Sequence, residues 1–212
     1  MRFSVLPLIV MLSIIALVLF RQPDTKSFLL MITAALAMLI VYGISWKQLS
    51  LFILIAAMGL AGLLFTKPYL RERIMTFVNP SRDNLGSSYQ LQQSLIAVGS
   101  GGVFGRGIGK SVQKFSYLPE PQGDSIFAVV GEEVGFVGTS LVVILYILFA
   151  LRGFRIGYNS PDDFARLLTV GLITLFTAQS FMNIASITGL FPLTGVPLVF
   201  ISHGGTSLAI TL

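Results

Sequence analysis

Long apolar runs dominate this chain, separated by short polar breaks and one long polar interval. A helix needs about 20 mostly apolar residues to cross a bilayer. Six segments qualify: 3–21, 27–46, 49–66, 125–151, 167–190 and 192–211. Short connections at Arg21–Lys26 and Trp46–Gln48 join the first three, RGFRIGYNSPDDFAR joins the fourth to the fifth, and Pro192 marks a bend between the last two. No internal repeat and no second domain interrupts the pattern. The prediction is all-α: a polytopic transmembrane helix bundle of about six spans, a single domain over 1–212, with one long loop at about 67–124.

Composition agrees. Hydrophobic residues make up 54% of the chain, charged residues only 11%, and mean hydropathy is +0.85. A soluble domain carries roughly 25% charged residues. The absence of cysteine excludes a disulfide framework and a thiolate metal site, and one histidine cannot build a His-rich one. The net charge of +5 resides on loops, which suits an anionic membrane surface or an anionic lipid substrate. No basic helix interleaved with aromatics is present, which argues against nucleic acid. The opening run MRFSVLPLIVMLSIIALVLF imitates a signal peptide but lacks a small-x-small cleavage site, so it reads as a retained span. The last run stops at Leu212 without a charged flank and reads as truncated.

Charge leaves orientation contested. The large loop and the 21–26 turn share one face and hold nine Lys and Arg, against five on the other face: Arg2, Lys47, Arg152, Arg155 and Arg166. A plain count places the large loop in the cytoplasm. The compact cluster Arg152, Arg155 and Arg166 in a short loop is the usual cytoplasmic pattern and points the other way.

The candidate chemistry gathers between Tyr89 and Gly138, where a glycine-rich polar stretch precedes an apolar helix. A bilayer tolerates irregular backbone only where protein covers it or it lines a cavity. Asp124 stands just before that helix. It reads either as a helix N-cap or as a general base held ionised at the membrane face. Glu120, Arg106, Lys110 and Lys114 precede it. Glu132 and Glu133 lie two turns inside the helix, where adjacent carboxylates are expensive unless paired or wet. Adjacent helix positions point about 100° apart, so one is expected to face the loop and the other a neighbouring helix or a backbone N–H. Arg71 and Arg73 read as snorkelling anchors or as phosphate clamps. Asp24, after Pro23, reads as a capping turn or as half of an ion pair. GSGGVFGRGIGK has the glycine content of a phosphate cradle but not the spacing of a P-loop. His203, beside Gly204 and Gly205 in a helix broken by Pro192 and Pro197, reads as a buried, hydrogen-bonded histidine.

These motifs, in order, resemble the SEDS (FtsW/RodA/SpoVE) family of bacterial membrane proteins. The carrying stretches are QPD at 22–24, RERIMTFVNP at 71–80, YQLQQSLIAVGSGG at 89–102, GRGIGKSVQKFSYLPE at 105–120, DSIFAVVGEEVGF at 124–136 and GLFPLTGVPLVFISHGGTS at 189–207. QSLIAVGSGG and GKSVQKFSYLPE resemble the division members more than the elongation members. The sequence departs from the family where TDFIF is replaced by Gly123-Asp124-Ser125-Ile126-Phe127 and Ser-Tyr-Gly-Gly by Ser202-His203-Gly204-Gly205.

The resemblance implies a ten-helix protein of the bacterial cytoplasmic membrane, of which this chain covers about the last six helices. The implied activity is polymerisation of lipid II into peptidoglycan strands during cell division, on the outer face, so the large loop becomes extracytoplasmic. It implies Asp124 as general base of an inverting glycosyl transfer. It also implies Arg71, Arg73, Arg106, Lys110, Lys114 and Glu120 around the substrate pyrophosphate, with Asp24, Glu132, Glu133 and His203 shaping the site. Expected partners are lipid II, membrane lipids, a class B penicillin-binding transpeptidase and other division proteins. No dedicated metal motif is present, although a divalent cation, Mg or Mn, can share the charge. Two rival functions fit the same features: a lipid II flippase, and a scaffold that recruits the transpeptidase.

Overall fold

The computed structural model describes residues 24–79 and 86–203, with scattered helical positions between 10 and 21. The predicted first span, 3–21, therefore falls largely outside the described residues. From Asp24 onward the helices are α1 (Thr25–Tyr42), α2 (Trp46–Thr66), α3 (Pro68–Val78), α4 (Ser87–Ser100), α5 (Gln113–Ser116), α6 (Ile126–Tyr158) and α7 (Asp163–Ile187). Among the described residues there is no strand. Three of these helices, α1, α6 and α7, are long and apolar enough to cross a membrane, and α2 carries a shorter apolar stretch from Trp46 to Gly62. The all-helical, membrane-embedded architecture is as expected.

Local chemistry sets the ends. Asp24 caps α1: its carboxylate accepts from the Ser27 N–H at 3.3 Å and the Ser27 hydroxyl at 2.7 Å. That is the capping alternative for Asp24. At α7 the Asp162 carboxylate accepts the Ala165 N–H at 3.1 Å, so the helix begins inside what hydropathy reads as a loop. Likewise α6 continues to Tyr158, past Arg152 and Arg155. An apolar-run criterion stops at the first arginine, whereas helix propensity does not, because arginine is a good helix former.

Two expectations are corrected. The interval 67–124 is not one loop; it holds α3, α4 and α5. The helix α4 buries Leu91, Ser94 and Ala97, which recur every three residues on one face. Its polar glutamines hide this pattern from a hydropathy scan. The predicted last span, 192–211, is not helical over its described part, Pro192 to His203. Pro192 and Pro197 lack N–H groups. Side chains take the carbonyls a helix would use internally. Arg73 donates to Leu193 O at 2.9 Å, Asn183 to Val196 O at 2.7 Å, Gln179 to Pro197 O at 3.1 Å, and the Tyr146 hydroxyl to Val199 O. The apolar side chains Leu193, Val196, Leu198 and Val199 are buried, so this segment is hydrophobic because it is core.

The chain forms two units. One comprises residues 1–70 and 154–175, where Tyr69 and Thr25 pair through their hydroxyls at 2.6 Å. The other comprises 71–153 and 176–212. Its core joins Leu91 and Ala97 of α4, Phe127 and Ala128 of α6, Ile187 of α7 and Leu198 of the extended segment. The candidate site lies entirely in this second unit.

Candidate active site

Asp124 sits in a turn whose main chain is clamped from one side. Three consecutive carbonyls accept from the region 183–203: Gln122 O from the His203 N–H at 2.8 Å, Gly123 O from the Ser202 hydroxyl at 2.6 Å, and Asp124 O from Asn183 Nδ2 at 2.6 Å. From within, Gly123 N–H and Ser125 N–H both reach Glu120 O, and the Ser125 hydroxyl donates to Pro119 O at 2.9 Å. Asn183 uses both amide hydrogens, one on Asp124 O and one on Val196 O, which ties the turn to the extended segment.

With the backbone fixed, the Asp124 carboxylate accepts from Gln90 Nε2 at 3.2 Å and lies 3.4 Å from the Ser125 hydroxyl, which shares its one proton between Asp124 and the nearer Pro119 O. It does not serve as the cap of α6. Ser125 holds that position, its carbonyl accepting the Ala128 N–H at 3.0 Å. Burial pushes the Asp124 carboxyl above the ordinary 3.8, against hydrogen bonds from Gln90 and Ser125 that favour the ionised form; the charge of Glu120 adds a smaller upward push. The result is an oriented, partly desolvated carboxylate of enhanced basicity.

Eleven residues after Asp124, α6 breaks. Gly135 adopts φ 72, ψ −163, a backbone open only to glycine, and the helix hydrogen bonds around it are lost. The segment 101–107 replaces them. Arg106 N–H donates to Glu132 O at 2.9 Å and Gly107 N–H to Glu133 O at 3.0 Å; Phe136 N–H reaches Gly102 O at 2.9 Å and Val137 N–H reaches Val103 O at 3.1 Å. Two acceptors before the break and two donors after it are thus satisfied by one passing segment, as a span requires. The approach is backbone to backbone: a Cβ on Gly105 would lie 2.2 Å from Glu133 O, and one on Gly135 would lie 2.3 Å from Gly105 N. This packing accounts for Gly105 and also for Gly101, where a Cβ would lie 1.9 Å from Gly131 O.

The two glutamates hold the same segment further along. Glu132 is fully buried and accepts from the Ser111 hydroxyl at 2.6 Å, Val112 N–H at 3.0 Å and Gln113 N–H at 3.2 Å, with Arg106 NH1 at 3.4 Å. Glu133 pairs with Lys114 Nζ at 2.5 Å. Glu132 thus takes the backbone N–H alternative and Glu133 faces a lysine of the loop segment. Because the segment wraps around the break, both carboxylates reach it at successive residues.

The basic candidates do not gather on Asp124. Arg106 and Lys114 are engaged by Glu132 and Glu133, and Arg73 holds Leu193 O. Arg71, Lys110 and Glu120 are exposed. The charged neighbour that Asp124 feels is an acid, Glu120. His203 is exposed and contributes its backbone N–H, not a buried imidazole. Gln90, Ser125, Asn183 and Ser202 were not singled out from sequence. Only Asn183, a polar residue inside an apolar helix, carried a signal of its own. Among the described residues no three His, Cys, Asp or Glu side chains come together as a metal cage.

Comparison with known proteins adds the following. A family model described as "Cell cycle protein" (FTSW_RODA_SPOVE) matches residues 1–212. Stage V sporulation protein E of Bacillus subtilis (strain 168) is 42% identical over 92% of this chain and 54% of its own length. A probable peptidoglycan glycosyltransferase FtsW of Geobacter sulfurreducens (strain DL-1 / KN400) is 39% identical over 98% of this chain and 56% of its own. A chain of the solved structure described as "Structural coordination of polymerization and crosslinking by a peptidoglycan synthase complex" superposes with a TM-score of 0.72 at 28% identity, covering 93% of this chain and 55% of that one. The chain spans little more than half the length of the curated relatives it matches.

Proposed function

Because this chain belongs to the FtsW/RodA/SpoVE family, we propose that it is part of a peptidoglycan glycosyltransferase that polymerises lipid II in the bacterial cytoplasmic membrane, with Asp124 as the general base. The carrying observation is the Asp124 turn. A carboxylate that is neither a helix cap nor, among the described residues, half of an ion pair is held by Gln90 and Ser125, on a backbone clamped at three successive carbonyls. A general base needs this combination of fixed position and raised basicity.

In the reaction, a sugar hydroxyl of one lipid II attacks the anomeric carbon of the growing strand's lipid-linked end. The C–O bond to undecaprenyl pyrophosphate breaks with inversion, and Asp124 takes the hydroxyl proton. Charge building on the leaving pyrophosphate requires cations. Arg71 and Lys110 are exposed for that work, whereas Arg106 and Lys114 serve chiefly to brace the glycine segment. A divalent cation would arrive shared with the substrate phosphates, since magnesium is commonly held by one or two carboxylates plus phosphate and water; Asp124 is the carboxylate that would meet it. The solved relative whose description couples polymerisation to crosslinking supports a transpeptidase partner.

The test is glycan-strand formation from purified lipid II by the full-length protein with its transpeptidase. Asp124→Asn keeps the size and the Gln90 neighbour. Polymerisation should fall by roughly 10²–10⁴-fold with lipid II binding retained. Normal polymer would sink the catalytic assignment and favour the flippase or scaffold.

A further inference from the structure

The segment 103–117 carries a set of side chains that the site does not use. Phe104 is 83% exposed, Ile108 86% and Phe115 76%, and Val103 and Val112 are more than half exposed. Arg106, Lys110 and Lys114 are interleaved with them, and no acid occurs between 101 and 117. Apolar bodies alternating with cations are the composition of a segment seated at the membrane interface, where rings and aliphatic chains enter the acyl boundary and cations reach headgroup phosphates.

The depth of the segment follows from its bonds to α6. Between Glu133 and Arg152 the sequence carries no charge. That run is about 18 residues, roughly 27 Å of helix at 1.5 Å per residue, close to the ~30 Å of a hydrocarbon core. Glu133 and Arg152 therefore bracket the span, and the break at Gly135 lies just inside one boundary. Main-chain bonds fix residues 102–107 at that level, with Val103 O on Val137 N–H and Gly107 N–H on Glu133 O. Val103 and Phe104 are exposed beside α6, where Val103 O accepts the Val137 N–H, and Phe136, Val137 and Leu141 of α6 are exposed as well.

We infer that the segment from Val103 to Phe115 lies in the bilayer interface as a lipid-contacting collar around α6, with Phe104, Ile108 and Phe115 inserted below the headgroups of a phospholipid leaflet. The collar seals the broken end of the span from water and sets the height of the adjoining Asp124 turn above the acyl chains. The inference rests on the span and its break, and it stands whether or not Asp124 is the base.

The absence of cysteine in this chain makes site-directed spin labelling direct. Single cysteines at positions 104, 108 and 115 of the full-length protein, with any cysteines elsewhere replaced by serine, are labelled and reconstituted in phosphatidylethanolamine–phosphatidylglycerol vesicles. Collision rates with oxygen and with a water-soluble nickel chelate give the depth. Exposed positions 141 and 122 serve as the lipid and water references. The expected result is severalfold greater contact with oxygen than with nickel at all three positions, matching position 141. Phe104→Ser with Ile108→Ser should move a label at 115 toward the water reference. Nickel contact equal to position 122 would overturn the inference in favour of an aqueous loop. Loss of contact with both reagents would overturn it in favour of a protein cover.

Discussion

The carboxylate of Asp124 responds to its neighbours in opposite directions, and each direction can be measured. Glu120 raises its pKa by charge, and Gln90 lowers it by donating to the ionised form. The acid limb of the polymerisation rate should therefore move to lower pH in Glu120→Gln and to higher pH in Gln90→Met. An identical pH profile in both variants would remove Asp124 from the rate. Stability follows the opposite logic to that of a paired carboxylate. A folded-state pKa above 3.8 means that the protonated form favours the fold; this contribution is present below 3.8 and is lost as pH rises through the raised value. Asp124→Asn should accordingly melt no lower than the parent at pH 7, while losing polymerisation. A carboxylate that served stability alone would show the reverse. Asp124 was legible in the sequence from its place before an apolar helix. The clamp was not, because Gln90, Asn183 and Ser202 lie far apart in the chain and only folding brings them to one turn.

At the scale of the element, the join between 101–107 and α6 depends on what glycine lacks. Gly135→Ala meets both a disallowed backbone, on the order of 1–3 kcal/mol, and a Cβ driven against Gly105 N. It should sharply lower the melting temperature or abolish folded yield in detergent. Gly59→Ala in α2 meets nothing within 4 Å and should gain up to ~1 kcal/mol from helix propensity. Equal effects would show that the join carries no stability. The two glutamates should separate in the same assay. Glu132→Gln removes a fully buried carboxylate from four donors, a change of roughly 3–5 kcal/mol by analogy with broken buried pairs. Glu133→Gln weakens a partly exposed pair with Lys114 and should cost about 1 kcal/mol or less. Hydropathy located α6 but not its break. A Gly-x-x-x-Gly spacing inside an apolar run looks the same whether the helix continues or is spliced, and only the arrival of a second, glycine-rich segment distinguishes the two.

For the whole molecule, apolar runs reported four helices correctly and mistook one buried extended segment for a span. A run such as PLTGVPLVF is equally hydrophobic when lipid surrounds it and when protein does, and its prolines were the available warning. Orientation was left open for another reason, the conflict between the total Lys and Arg count and the cluster Arg152, Arg155 and Arg166. Gln122 and Asn159 are both exposed and lie on either side of α6 in the chain. In intact cells, a cysteine at position 122 should react with an impermeant thiol reagent and one at 159 should not. The reverse pattern would place the Asp124 turn in the cytoplasm and contradict polymerisation at the outer face.

The splice at Gly135 also constrains how the protein is made. Residues 101–107 leave the ribosome before 132–137, with amides and carbonyls that only water can satisfy until α6 arrives. If α6 enters the membrane alone, it exposes unpaired N–H groups at residues 136 and 137, each costing several kcal/mol in hydrocarbon, and leaves the carbonyls of 132 and 133 without partners at the boundary. Neither half of the join is stable without the other. Membrane insertion of this span and construction of the scaffold beneath Asp124 are therefore one biogenetic step, and a nascent chain stalled between them presents the insertion machinery with a helix that has no finished end.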